Sequence, residues 1–382
     1  MAFNNSKSSI KRANSMENPM KRLILLALMI ISCSFVFADT LTLKSGHPDS
    51  YVVKKGDTLW DISEHFLNDP WRWPKLWGAN PQIANPHLIY PGDRLTLVFI
   101  DGEPRLVVKP HIRKSPEGRI MPKGGAIPAV DLSLIRPFLV QNRVVDGDWF
   151  DEQPLVMGGE SESKYHIAND IIYVQAELTL GDKFGVYAQG REFVSKEEGE
   201  LLGQEVMLTA SGRVIESGPI SKVRLLSNFR ETKAGYRVLP IEEDSLLSAY
   251  FMPRAANLET PASVIASDKK NREMGKLDVV YIDKGNEDGV EAGHVFSIFR
   301  EGVDIVINGD GQPVLPQDRS TYESLLTGIS SDNAVKMPDI YRGKLMVFKV
   351  FDKTSLALIM VNERPVRVDD KLIQPSSLLA SE

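Results

Sequence analysis

Tyr51-Val52-Val53-Lys54-Lys55-Gly56-Asp57-Thr58-Leu59-Trp60-Asp61-Ile62 opens the stretch that decides the fold. Tyr51 to Lys54 reads as a short strand, and Lys55-Gly56-Asp57 carries turn residues. Leu59, Ile62 and Phe66 recur at helical spacing behind Asp57 and Thr58, either of which can cap a helix N-terminus. Pro70 suits the start of a second helix bearing Trp73, Leu76 and Trp77, which Asn80-Pro81 stops. Leu88-Ile89-Tyr90-Pro91-Gly92-Asp93 then turns the chain into Leu95-Thr96-Leu97. Residues 51–98 therefore predict strand, helix, helix, strand.

Four of the five tryptophans lie between Trp60 and Trp77, which marks this region as its own unit. A small module without disulfides needs large buried groups. Trp60, Trp73 and Trp77 sit at helical spacing and are expected in the core. Trp71, within Asn68-Asp69-Pro70-Trp71-Arg72-Trp73-Pro74, is the tryptophan expected to be exposed.

The segment Tyr51 to Ile62, then Trp77-x-x-Asn80-Pro81-x-Ile83, then Leu88-Ile89-Tyr90-Pro91-Gly92-Asp93-x-Leu95, resembles a LysM module. The resemblance covers nearly the whole module, with a longer inter-helix joint at Asn68 to Pro74. It implies a βααβ fold that binds N-acetylglucosamine-containing glycan, and the bacterial-type leader favours peptidoglycan. An N-acetyl sugar offers a methyl, an amide and hydroxyls, and needs a shallow groove with backbone donors and acceptors plus small apolar contacts. Gly56 exposes backbone in the first loop, and Asp57 and Thr58 can hydrogen-bond the sugar. Leu59 and Ile83 can touch the acetyl methyl, with Asn80 and Pro81 as the opposite wall. Equally, Asp57 and Thr58 can serve only as helix caps, and Gly56 and Gly92 only as turns.

Working outward, Lys21-Arg22 precede an apolar run from Leu23 to Phe37 that ends Val36-Phe37-Ala38. A basic start, a short apolar core and small residues at the cleavage point predict a signal peptide over 1–38. The alternative is a lipoprotein box at Ile30-Ile31-Ser32-Cys33, with Cys33 acylated. Residues 1–38 hold five Lys/Arg and one Asp/Glu, so the remainder carries 40 basic and 50 acidic residues, net −10, and no cysteine. Such a balance argues against nucleic acid as a partner, and the absent thiol excludes a disulfide framework. The apolar run is 15 residues, short of the roughly 20 of a membrane helix, so no membrane span is expected after cleavage.

Residues 101–165 are rich in Pro, Gly and charge and read as a mostly irregular connector, with one short apolar stretch from Leu132 to Val140. Beyond Ile167 the pattern becomes β. Asp170-Ile-Ile-Tyr173-Val174 matches Asp278-Val-Val-Tyr281-Ile282, and Gly181-x-x-Phe184-x-Val186 matches Gly293-x-x-Phe296-x-Ile298. Gly203 before Val206-Met207-Leu208 matches Gly343 before Leu345-Met346-Val347. Two antiparallel β-repeats are expected, over 168–240 and 276–375, with a linker at 241–275 (Leu247 to Met252 as one strand in it) and an insertion between Val303 and Tyr341. The fold class is thus α+β multidomain, a small βααβ LysM module followed by a mostly β region with two repeated β-domains.

The leader, the LysM with Asp69 to Pro74, the stretch Leu134-Ile135-Arg136-Pro137-Phe138-Leu139 and the β-repeats are together similar to the LysM proteins associated with type IV pilus secretins. That resemblance implies a periplasmic protein linking an outer-membrane secretin, or another envelope complex, to the cell wall. Catalysis finds no support in the residues. The mature chain has no thiol, and its histidines (His47, His65, His87, His111, His166, His294) are never within ten residues of one another. No penicillin-binding motif set is present. The expected function is a non-catalytic adaptor without cofactor or metal; the alternative is an accessory subunit regulating a cell-wall hydrolase.

Overall fold

Tyr51 and Leu95 face each other where β1 (Ser50–Val52) pairs antiparallel with the following strand β2 (Arg94–Ile100). The computed structural model describes residues 41–78, 89–109, 131–196, 199–241, 252–269, 271–307, 312–315 and 334–375. Between β1 and β2 run α1 (Leu59–Glu64), a 3-10 turn at Pro70–Arg72 and α2 (Trp73–Trp77). Thr58, not Asp57, caps α1. Its Oγ1 accepts from the Asp61 N–H at 3.1 Å, and Asp61 Oδ2 accepts from the Thr58 N–H at 3.2 Å, a reciprocal capping box. Leu59, Ile62, Phe66, Trp73, Leu76, Ile89 and Leu95 close the core of this module.

The module continues past the expected boundary. Asp101-Gly102 turns β2 into β3 (Glu103–Lys109), paired from Ile100↔Glu103 to Arg94↔Lys109, and Leu106 is fully buried in the same core. Pro104 is tolerated because β3 is an edge strand of the order β1-β2-β3. The rest of the expected connector holds α3 (Leu132–Gln141), β4 (Asn142–Val145), α4 (Gly147–Asp151) and β5 (Leu155–Gly159). Composition hides these strands because they are short and little of each is buried; in β5 only Val156 is.

β5 belongs to a closed sheet with β6 (Ile171–Gln175), β7 (Lys183–Val194), β8 (Leu201–Glu216), β9 (Ser221–Asn228) and β10 (Arg237–Pro240). The ring runs β5-β6-β9-β8-β7-β10 and back to β5, with β4 added alongside β8. Val156, Ile172, Val174, Val186, Val214 and Val223 fill its interior.

A second ring begins inside the expected linker. β11 (Arg254–Ala255) adds parallel to its rim, and β12 (Ala262–Ser267) is one of its own strands. Residues 242–251, most of the strand expected at Leu247 to Met252, lie outside the described residues. The ring continues with β13 (Val279–Ile282) and β14 (His294–Arg300). The insertion then forms a small sheet of β15 (Asp304–Ile307), β16 (Pro313–Val314) and β17 (Ala334–Lys336). β18 (Ile340–Val350), β19 (Ser355–Asn362) and β20 (Lys371–Ile373) complete the order β12-β13-β19-β18-β14-β20, closed back onto β12. Both rings are antiparallel throughout.

Strands of the second ring are buried on both faces. Val264, Val280, Ile282, Phe296, Leu345, Val347 and Ile359 point into the barrel. Val279, Tyr281, Val295, Met346, Phe348, Leu358 and Met360 point outward, yet share one core with Trp60 and Trp71 of the first module, Ile135 and Leu139 of α3, and Phe193 of the first ring. Residues Leu41–Glu382 accordingly make one compact unit. The expectation that Trp71 is exposed is corrected: it is 8% exposed, because its 3-10 turn lies in this shared core.

Polar groups seal the same seam. Lys349 Nζ donates to the carbonyls of Leu139 and Asn142, each at 2.8 Å, satisfying acceptors at the C-terminal end of α3. Between the two rings, Arg191 Nε donates to Glu205 Oε2 at 3.0 Å, and the Tyr281 hydroxyl donates to Glu205 Oε1 at 2.7 Å. Arg191 also reaches the Ser267 carbonyl at 2.8 Å, and Asn142 Nδ2 donates to the Tyr281 oxygen at 3.1 Å. Burial pushes the Glu205 carboxyl up, but the Arg191 and Tyr281 hydrogen bonds and the Arg191 charge outweigh it and hold the group below its ordinary value.

Glu205→Ala should therefore destabilise the protein by about 3 kcal/mol, since it strands a partly buried guanidinium and a buried phenol. Tyr281→Phe should cost about 1 kcal/mol. Urea unfolding of the full chain measures both. A carboxylate whose pKa is depressed on folding stabilises above the unfolded value of 4.5 and loses that contribution as pH falls through the folded value. The gap between wild type and Glu205→Gln should accordingly narrow below about pH 4.5.

Candidate glycan-binding site

The first loop is a tight turn. Gly56 has φ +96°, a left-handed conformation that a side chain would strain. Asp57 ties the turn together: its Oδ2 accepts from the Lys54 N–H at 2.8 Å and from the Tyr51 hydroxyl at 3.0 Å. Burial, then the hydrogen bond and charge of Asp57, push the Tyr51 phenol up to about 12. The Tyr51 ring also stacks on His65, with centroids 4.7 Å apart.

The second turn is stitched to the first. The Gly92 N–H donates to the Val53 carbonyl at 2.8 Å, and the Val53 N–H donates to the Asp93 carbonyl at 3.0 Å. Asp93 Oδ2 also accepts from the Tyr90 N–H at 2.9 Å. Pro91 and Gly92 are exposed. Lys54 and Lys55 are exposed beside Gly56. The result is a backbone-rich, mostly polar ledge at one end of the module, with a carboxylate fixed at its centre.

The expected site residues divide three ways. Gly56 is exposed and Asp57 half-buried at this ledge. Thr58 and Leu59 are placed differently from the expectation that they face sugar. Thr58 is 6% exposed with its hydroxyl engaged in the cap, and Leu59 is fully buried in the core. The physical reason is local: once Thr58 is the cap, the next residue begins α1 and turns its side chain inward. Asn80, Pro81 and Ile83 lie outside the described residues. Sequence reasoning missed Tyr51 as the clamp on Asp57. The only signal would have been the geometry of the turn, which brings together residues six apart.

Comparison with known proteins agrees with this geometry. Residues 51–98 match the LysM domain family. Residues 51–98 are therefore a LysM domain, a binding module for peptidoglycan and related N-acetylglucosamine strands and not a catalytic one. The chain is also 40% identical over 60 residues to the Uncharacterized protein YqbP of Bacillus subtilis (strain 168), a match covering 13% of this chain and 27% of that protein. The chain thus spans about a quarter of the length of that relative.

Elsewhere, no group of three or more His, Cys, Asp or Glu is arranged to hold a metal among the described residues. No helix among the described residues is long and apolar enough to cross a membrane.

Thr58→Ala should cost about 1 kcal/mol through loss of the cap, measured as a shift in the unfolding midpoint, while leaving the ledge intact. Asp57→Ala should lower the Tyr51 pKa from about 12 toward its ordinary value of 10, because it removes two of the causes of the shift. Tyrosine Cζ chemical shifts followed against pH measure this directly.

Proposed function

We propose that the chain is a non-catalytic, periplasmic wall-binding adaptor that anchors an envelope complex, the type IV pilus secretin, to peptidoglycan. The observation that carries the reading is the LysM domain at residues 51–98. Its ledge offers Gly56 backbone, Asp57 and the Pro91-Gly92-Asp93 turn to neutral sugar, and Asn80, Pro81 and Ile83 complete the proposed set of sugar-binding residues. The leader over 1–38 is cut after Ala38 and delivers the chain to the periplasm.

The two rings serve as the partner-binding part, and they arose by duplication. Their pairing orders agree strand for strand: β5-β6-β9-β8-β7-β10 in one, β12-β13-β19-β18-β14-β20 in the other. That agreement and the matched motifs support descent from one ancestral domain. The duplicated units begin earlier than the motifs alone suggest, at β5 and β12. The second copy also supports the LysM, so the adaptor transmits position as well as attachment.

The full chain should co-sediment with purified sacculi, and should do so in moderate salt, since contacts with neutral sugar are not charge pairs. Asp57→Ala should weaken this binding severalfold without changing far-UV circular dichroism. A wild-type chain left in the supernatant would remove the wall-binding reading. In cells lacking the gene, secretin multimers should be mislocalised or unstable. Chained or lysing cells with normal pili would instead indicate regulation of a wall hydrolase.

A further inference from the structure

Four strands of the second ring share one cross-strand row on its outer face: Val279 faces Leu358, Leu358 faces Met346, and Met346 faces Val295. All four are buried in the core shared with the LysM, α3 and the first ring. The first ring has the same row at the same place. Ile171 faces Arg224, Arg224 faces Arg213, and Arg213 faces Lys183. Three successive positions that are apolar in the second ring are cations here, and Lys183, Arg213 and Arg224 are all exposed.

Cations directly opposite one another on neighbouring strands, about 5 Å apart, repel. Arg213 donates to the Gly181 carbonyl at 3.4 Å, and Arg224 makes no side-chain hydrogen bond or ion pair among the described residues. Lys222, two residues before Arg224, is paired with Glu216 at 2.7 Å and adds little net charge. Ile215 and Leu226, two residues beyond Arg213 and Arg224, are exposed. A row of like charge flanked by exposed aliphatic groups is unfavourable by itself and is relieved by an acidic, partly apolar surface.

The other ring of the chain bears such a surface. The insertion between β14 and β18, residues 301–339, holds seven Asp/Glu against two Lys/Arg, net −5. In and beside its small sheet, Val303, Ile307, Leu315, Val335 and Met337 are exposed. Its place in the fold matters as much as its composition. β14 and β18 correspond in pairing order to β7 and β8. The end of the β7–β8 hairpin is where the first ring docks on the second. Phe193 packs on Tyr281 with ring centroids 4.7 Å apart, and Arg191 reaches the Ser267 carbonyl. One hairpin end thus already seats on the outer face of a ring, and the insertion is the corresponding hairpin end of the other ring.

We propose that the Lys183–Arg213–Arg224 row is the docking face for the insertion sheet of a second copy of this chain. The contact repeats between copies what the β7–β8 hairpin does within one. It is head-to-tail, so a pair of copies still has one open row and one open insertion, and further copies add in series. The inference goes beyond the adaptor reading and does not depend on wall binding.

Sedimentation velocity of the full chain tests it. At low salt the wild-type chain should shift from monomer to dimer and larger species as its concentration rises. High salt should return it toward monomer, because contacts between exposed charges are screened. Arg213→Glu/Arg224→Glu should weaken the association by roughly tenfold or more, since like charges then meet across the contact. Ile307→Lys/Val335→Lys, on the insertion sheet, should do the same. Both pairs of substitutions are at exposed positions, and an unchanged far-UV circular dichroism spectrum checks that each variant folds. Each variant keeps one intact end, so a mixture of the two should form one-to-one dimers and nothing longer. A wild-type chain that stays monomeric overturns the inference, as does association that Arg213→Glu/Arg224→Glu leaves unchanged. A mixture in which neither variant joins the other overturns it too. Binding of a monomeric wild-type chain to anionic phospholipid vesicles, lost in Arg213→Glu/Arg224→Glu, would make the occupant a membrane surface and likewise overturn it.

Discussion

The outer face of the second ring carries the rest of the molecule. Strands β13, β14, β18 and β19 are apolar on both sides, which a free-standing barrel in water would not sustain. Tyr281, Met346, Phe348, Leu356, Leu358 and Met360 are covered from above by Trp60, Trp71, α3 and Phe193. The covering groups come from three different parts of the chain. Their burial against a common surface is what turns a string of modules into one body.

Apolar packing alone does not dictate the angle at which parts meet, whereas hydrogen bonds with fixed geometry do. Glu205 receives Arg191 and Tyr281 from opposite sides of the seam, and Asn142 completes the Tyr281 hydroxyl. Lys349 closes the end of α3 by binding its last carbonyls. Unmatched, these groups would be costly to bury. Matched, they admit few alternative arrangements of the two rings. A chain built this way holds its LysM ledge at a set orientation to its β-barrels, unlike a LysM on a flexible linker, which could only limit distance.

The LysM helix α1 shows how one short element serves both tasks. Its N-terminal end supports the ledge through Thr58 and Asp61, and its flank meets Lys276 and the shared core through Trp60. Contact at the ledge is thus mechanically continuous with the second ring. A six-residue helix has too little core of its own to do this. The neighbouring barrel supplies the missing cover.

Much of this was legible in the residues. Spacing of Leu59, Ile62 and Phe66, the turn residues around Gly56 and Gly92, and the LysM pattern established the first module, because those signals are local and obey backbone sterics. The apolar runs at Val279 to Ile282 and Leu345 to Phe348 announced strands, though not that both their faces were covered. β3 was hidden by Pro104 and its charged neighbours, β5 by its slight burial, and β12 by its small Ala and Ser residues, which carry little strand signal. The same limit governed the site. Sequence can name Asp57 and Thr58 as polar residues at a helix start, but only the folded turn assigns one to Tyr51 and the other to the cap. Trp71 makes the point most plainly: an insertion in a small domain reads as surface, and only the tertiary structure brings the apolar face that buries it.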